Sequence, residues 1–335
     1  MIDKLSYRDA IACQPAALAA TSAAVSARLE TLDIDPIRRG PVVLAGIGAS
    51  LAAAYAAAAH MRACGIRAFA LAATDLYDAT IDAGAAYVAF SASGRSVEPA
   101  HAVQIRPHAA TYGIAKAAAT PLARVVKHMI ATDSGVDSSP NTTSYLGSLM
   151  AAALVAEAAG RPSGTHWAEL PDRAAAVLQT VQGQTDKAAQ LFAGRKSIDC
   201  VGAGAAFGTA GYAALLIREA ARTSAQNWDT LNFLHGPMEP NDRDSGVMLF
   251  GDRREVKLAI DLAGFGIPTA LVTSRDDVAD SDNLVVIRVP GAGSPLGDAI
   301  LQALPAQLFI ATLAEQAGLP VCTFRYRQTD TKLDM

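Results

Sequence analysis

The feature that constrains this chain most is a repeat. Val43-Leu44-Ala45-Gly46-Ile47-Gly48 is echoed by Ile198-Asp199-Cys200-Val201-Gly202-Ala203-Gly204, with Gly46 and Gly202 lying 202 − 46 = 156 positions apart. The first copy, entered through Pro41-Val42, is a continuous apolar run without polar alternation, which is how a parallel strand buried on both faces reads. Each copy leads into a helix-length segment of small residues that carries one tyrosine, Tyr55 in the first and Tyr212 in the second. A repeat of this length predicts two tandem α/β units, residues 1–165 and 166–335, joined near Gly160 to Thr165, where Arg161-Pro162-Ser163-Gly164 interrupts the periodic segments.

Within the first unit, a helix is expected between Arg8 and Leu32. Strands are expected at 41–46, 68–73, 86–90, 111–115 and 126–131, and helices at 51–61, 97–104 and 145–159. In the second, strands are expected near 198–204, 247–250, 269–273 and 284–289, and helices from Tyr212 to Ser224 and from Pro295 to Ala317. Strand and helix alternating in this way predict doubly wound parallel sheets with helices on both faces.

Composition narrows the partners. The chain of 335 residues is 51% hydrophobic with a net charge of −4, ample for packed cores and without a basic cluster for nucleic acid or an anionic membrane. Cys13, Cys64, Cys200 and Cys322 form no CxxC pair, and no histidine is read at ligand spacing from them, so reduced cytosolic thiols are expected and no metal. Met1 to Tyr7 lacks a basic segment leading into an apolar core, so no secretory signal is expected. The most apolar window, Leu44 to Ala59, is shorter than the roughly 20 residues that span a bilayer. A cytoplasmic protein with a small-molecule partner follows.

The chemistry-bearing motif is Ser91-Ala92-Ser93-Gly94-Arg95-Ser96, between an expected strand and an expected helix. Hydroxyls, a glycine and backbone N–H groups at such a junction make a cup for an oxyanion, most simply a phosphate. One serine would suffice for a helix cap. The two Gly-x-Gly turns invite a dinucleotide reading, but the GxGxxG spacing puts Leu51 and Phe207 where the third glycine belongs, so no nucleotide cofactor is expected. Glu219 is a lone glutamate in a helix otherwise rich in alanine and leucine, with Arg222 available as a salt-bridge partner, and His235-Gly236-Pro237 follows. A glutamate and a histidine together suit sugar isomerisation, which needs one group to open the ring and another to move a proton between adjacent carbons.

Taken in order, the Gly-x-Gly turn, the Ser-x-Ser-Gly-x-Ser loop and a helical glutamate followed by His-Gly-Pro resemble the SIS (sugar isomerase) family, from about Leu44 to Lys332. The likeness is to the isomerase half of the glucosamine-6-phosphate synthases, without their glutaminase domain. It implies two tandem flavodoxin-like domains in a homodimer or homotetramer, with the active site at a subunit interface. It also implies that Ser91, Ser93 and Ser96 bind phosphate, that Ser50 and Ser139 contact the sugar, and that Glu219 shuttles the proton. His235, given by a neighbouring chain, opens the ring, and Lys332 of the Tyr326-Arg327-Gln328-Thr329-Asp330-Thr331-Lys332-Leu333 tail forms a Schiff base. Ala92, Asn141 and Asn232 depart from the polar or charged residues of the synthases, and Trp228 points to a different sugar pocket. The implied activity is isomerisation or deamination of a hexose or hexosamine 6-phosphate, or cleavage of a ketosamine phosphate, through an enediol or enolamine. The contrasting reading is a non-catalytic phosphosugar sensor, since SIS modules also serve as ligand-binding domains of regulators.

Overall fold

The computed structural model describes residues 5–80, 82–326 and 328–334; residues 1–4 of the expected start and Arg327 of the tail motif lie outside them. The chain opens with α1 (Tyr7–Ala12) and α2 (Gln14–Leu29). The single helix expected from Arg8 to Leu32 is therefore two. Pro15 has no N–H to give Ile11 and its ring crowds that carbonyl, so the helix is interrupted at Cys13 and restarts with proline in its first turn.

After α3 (Asp35–Arg39), the first sheet is built from β1 (Val42–Gly46), β2 (Ala68–Ala72), β3 (Ala86–Phe90), β4 (Ala110–Ala115) and β5 (His128–Ala131), with α4 (Ala49–Ala63) after β1, α5 (Val97–Gln104) after β3 and α6 (Thr143–Ala159) after β5. All pairings are parallel and the order is β2-β1-β3-β4-β5. Helices α7 (Leu170–Thr180) and α8 (Gln182–Phe192) lead into the second half. It comprises β6 (Ser197–Gly202), α9 (Ala205–Leu216), β7 (Ser224–Trp228), α10 (Thr230–Phe233), β8 (Ser245–Phe250), α11 (Arg254–Gly264), β9 (Thr269–Thr273), β10 (Leu284–Arg288) and α12 (Pro295–Gln316). Its sheet is also parallel, in the order β10-β9-β8-β6-β7, so both halves have the doubly wound topology expected from the sequence.

The repeat holds in backbone detail. Gly48 and Gly204 cap α4 and α9 at φ/ψ of 57°/−131° and 61°/−124°, a region closed to residues with a Cβ. A Cβ on Gly46 would lie 2.5 Å from the Ser50 carbonyl oxygen, and one on Gly202 would lie 2.6 Å from that of Ala206.

One continuous core contains α2, α4, α6, α9 and α12 with the facing sides of both sheets, while α5 and α11 cover the outer sides through smaller clusters around Val43, Tyr87 and Val103 and around Leu249, Leu258 and Leu271. Helix α12, the one helix among the described residues long and apolar enough to cross a membrane, is 89% buried along its apolar window and is a core helix. Helices α4 and α9 pack closely, where small residues meet: a Cβ on Gly208 would lie 2.5 Å from the Ala52 carbonyl oxygen and 2.8 Å from the Ala56 Cβ. The alanine-rich helices thus pack against each other within the chain.

Gly208→Ala should destabilise the protein by about 1–3 kcal/mol, because a backbone oxygen cannot move aside as a side chain can. Gly211→Ala, whose Cβ would meet the Asn227 amide at 3.4 Å and the Ala52 Cβ at 3.6 Å, should be tolerated. Urea unfolding of the two variants checks the difference.

Candidate functional site

In each sheet the first strand lies between the second and the third, so chain connections diverge to opposite sides there and open a crevice at the carboxyl ends of the strands. In the first sheet this switch point lies between β1 and β3, which register Ala45 beside Ala89. It brings the Gly46–Ser50 turn and the Ser91–Ser96 loop to the same edge. Ser50, half-buried, lies in the first turn of α4.

The serines of the loop do different work. Ser91 is buried, and its Oγ accepts the Ser96 N–H at 3.2 Å, closing the loop on itself. Ser93 is exposed, and its Oγ accepts the Arg95 N–H at 3.3 Å. Gly94 sits at φ 64° with its missing side chain against Thr120, where a Cβ would come within 2.4 Å. Ser96 is the residue before α5, and its Oγ accepts from Lys332 Nζ at 3.0 Å.

That last contact belongs to a larger one. The tail crosses the loop as a short antiparallel bridge, Ser96 opposite Lys332, with Leu333 N–H donating to the Arg95 carbonyl at 2.8 Å and Val97 N–H to that of Thr331 at 3.4 Å. Arg95 Nε also donates to the Leu333 carbonyl. Burial pulls the Lys332 ammonium below its ordinary pKa, with Glu98 opposing and Arg95 reinforcing the shift.

The same tail lines the cleft of the glutamate. After α9 the helix widens into a π-type turn, Ile217–Ala221, and stops at Arg222, a left-handed residue at φ 53°. The helix expected to run to Ser224 ends here because β7 begins at that residue. Arg222 does not pair with Glu219; its guanidinium donates to the Thr323 carbonyl at 3.0 Å and anchors the tail. Arg218, Glu219, Arg222, Phe324, Arg325 and Tyr326 line a cleft of about 530 Å³. Among the described residues Glu219 has neither an ion-pair nor a hydrogen-bond partner, and burial raises its carboxyl from 4.5 to about 7.

Ser139 belongs to a neighbouring buried loop organised by a residue that the sequence reading missed. The Asp137 carboxylate accepts from the backbone N–H groups of Ser138, Thr142, Thr143 and Ser144 and from the hydroxyls of Thr142 and Ser144, capping α6. Tyr212 donates to the Asn141 carbonyl at 2.7 Å, stacks on Tyr145 with ring centres 3.6 Å apart, and accepts from Gln307, itself paired with Gln14. Tyr7 was also missed. Its hydroxyl is buried without a partner, and burial, then the charges of Glu219 and Asp137, hold it protonated. A spacing of about two hundred residues left no sequence signal that could join Tyr7 to Glu219.

Two residues fall elsewhere. His235 is exposed after α10 and does not line the Glu219 cleft. Trp228 is half-buried at the end of β7 and donates to Asp199 at 3.1 Å, packing against the core of the second sheet. The second switch point has no serine cup: Glu255 is buried there, accepts from Thr230 Oγ1 and Arg253 N–H, and fills the space beside Gly251. The expectation that no histidine stands at ligand spacing from a cysteine is corrected, since one turn of α4 brings His60 Nε2 to 3.6 Å from Cys64 Sγ.

Because the Glu219 carboxyl binds its proton more tightly folded than unfolded, its own contribution to native stability falls as pH rises from about 4.5 to about 7 and is flat above. Glu219→Gln removes this dependence. Relative to the unmutated chain, the variant should gain stability between pH 4.5 and pH 8, on the order of 3 kcal/mol at about 1.4 kcal/mol per pKa unit. Paired denaturant titrations at the two pH values measure it.

No family model and no curated protein matches the chain. Solved structures do. The C-terminal domain of glucosamine-fructose-6-phosphate aminotransferase from Francisella tularensis superposes with a TM-score of 0.81 at 17% identity, over 96% of this chain and 98% of that one. Glucosamine-6-phosphate deaminase from Thermotoga maritima gives 0.75 at 19% identity over 94% and 96%, and tagatose-6-phosphate ketose/aldose isomerase from Escherichia coli gives 0.75 at 20% identity over 96% and 97%. Over nearly its whole length, therefore, the chain shares the fold of these structures, two tandem five-stranded parallel sheets flanked by helices, as the resemblance implied.

Proposed function

We propose that the protein is an enzyme acting on a phosphorylated ketose or hexosamine, moving a proton between C1 and C2 and releasing ammonia or an amine where the substrate carries nitrogen. The observation that carries this reading is Glu219, a carboxyl with a pKa of about 7 in a cleft lined by three arginines and by the tail. A group poised near working pH can both take and return a proton, and guanidinium groups suit an anionic substrate.

In the proposed reaction the Ser91–Ser96 loop holds the phosphate, with Ser93 and Ser96 offering hydroxyls and Ser91 keeping the loop in shape. Ser50 and Ser139 contact the sugar. His235, supplied by a second copy of the chain in a dimer or tetramer, protonates the ring oxygen as the ring opens. For an aldose product, the Glu219 carboxylate takes the C1 proton of the open ketose, the enediol forms, and the carboxylic acid returns that proton to C2. For a 2-amino-aldose the steps run from C2 to C1 through an enolamine; the resulting C2 imine takes up water and expels ammonia. Lys332 is the amine proposed to hold an imine. Residues 1–165 and 166–335 serve as phosphate-binding and proton-transfer units of a cytoplasmic protein.

The test is a coupled assay of ammonia and sugar products with hexose 6-phosphates, hexosamine 6-phosphates and ketosamine phosphates. Glu219→Gln should lower kcat by about 10²- to 10⁴-fold while leaving phosphosugar binding intact. The kcat/KM of the unmutated enzyme should rise with pH through about 7 as Glu219 ionises. Binding of these compounds without turnover, or turnover unchanged in the variant, overturns the reading.

A further inference from the structure

His60, Cys64 and Glu157 meet at the C-terminal end of α4, the opposite end from the Gly46–Ser50 turn. His60 and the helix-ending Cys64 share one face of α4, Glu157 comes from α6, and one donor atom from each lies within 4.8 Å of the others. Both α4 residues are buried, and Glu157 is the half-buried member on the solvent side.

We propose that these three side chains form a zinc site, with His60 Nε2, Cys64 Sγ and a Glu157 oxygen as ligands. The separation of the first two already suits the metal. Zinc binds imidazole nitrogen at about 2.0–2.1 Å and thiolate sulfur at about 2.3 Å, so two such ligands on a tetrahedral ion stand about 3.6 Å apart. His60 Nε2 and Cys64 Sγ are 3.6 Å apart. The Glu157 carboxylate, within 4.8 Å of both donor atoms, reaches the ion by a side-chain adjustment of its flexible stem.

The imidazole is otherwise poorly accounted for. Its Nε2 faces only sulfur, and its Nδ1 is buried without a hydrogen-bond partner, an arrangement that native cores seldom leave unexplained. Metal binding would displace the Cys64 thiol proton to solvent as the zinc–sulfur bond forms. Supporting contacts are present: the Ser163 N–H donates to Glu157 at 3.0 Å, its hydroxyl also donates to that carboxylate, and Trp167 packs edge-on against His60 with ring centres 5.6 Å apart. Since Ser163 lies between the two halves, the ion would fasten α4, α6 and the connecting segment together.

The test uses the full chain with the exposed Cys13 and Cys322 changed to serine, stripped with a chelator and titrated with Co(II). Thiolate-to-cobalt charge-transfer absorption should appear, saturate at one equivalent and vanish on adding Zn(II), and Zn(II) should raise the melting temperature. Absence of that absorption in this natively folded chain overturns the proposal, and the readout needs no core substitution. Cys64→Ala should abolish the absorption, and Ser163→Ala should weaken Zn(II) binding by about 10- to 100-fold. Absorption that persists in Cys64→Ala equally overturns it.

Discussion

The close crossing of α4 and α9 is the contact on which the arrangement of the candidate site depends. Gly208 lets the two backbones approach until a single added methyl would meet a carbonyl oxygen, and Ala52 and Ala56 complete the surface. Each helix starts at the switch point of its own sheet. The first turn of α4 carries Ser50, and the far end of α9 opens into the π-type turn that carries Glu219. A groove lined by Gly48 and Leu51 on one side and Leu215 and Arg218 on the other shows that these ends are neighbours. Larger residues at the crossing would change the separation of the glutamate from the first sheet, which is why the segments are rich in alanine and glycine in a core where leucine would bury more area.

The two halves repeat in backbone but diverge in charge. At the first switch point the chain presents serines and a lysine; at the second, Glu255 takes hydrogen bonds from a threonine hydroxyl and a backbone N–H, and nearby Asp252 accepts from Thr273, from Ser274 N–H and from the Ser274 hydroxyl. A carboxylate held this way uses the donors that an external anion would need. Under the proposed function, the first half receives an anion where the second holds the protein's own carboxylates, so the duplicated framework would present a single cup.

The strands were legible because buried parallel strands read as continuous apolar runs, and the repeat was legible because two Gly-x-Gly turns need the same unusual backbone. β7 was not. Ser-Ala-Gln-Asn-Trp is polar, pairs only with β6 and sits at a sheet edge, so its sequence looks like a loop. The loop of three serines was visible as a motif, but not that Ser91 would turn inward to brace it. Asp137, Tyr7 and the Gln14–Gln307–Tyr212 chain owe their positions to packing between segments remote in sequence, which no local pattern encodes. The His60–Cys64 spacing was in plain view; it gains meaning only once α4 is seen to run through Ala63 in regular turns, so that both side chains share a face.

The tail ties these parts into one argument about charge. Arg222 holds it at Thr323, the Arg95 backbone and side chain hold it at Leu333, and between them it lines the Glu219 cleft and delivers Lys332 to Ser96. Burial pushes the Glu219 pKa up and that of Lys332 down. Both shifts favour the neutral form of the group concerned. An anion entering the serine loop would reverse the second shift, since negative charge beside Lys332 favours its ammonium form. For the proposed reaction the tail, by setting Lys332 against Ser96, therefore ties the charge of that lysine to whether the serine loop holds an anion.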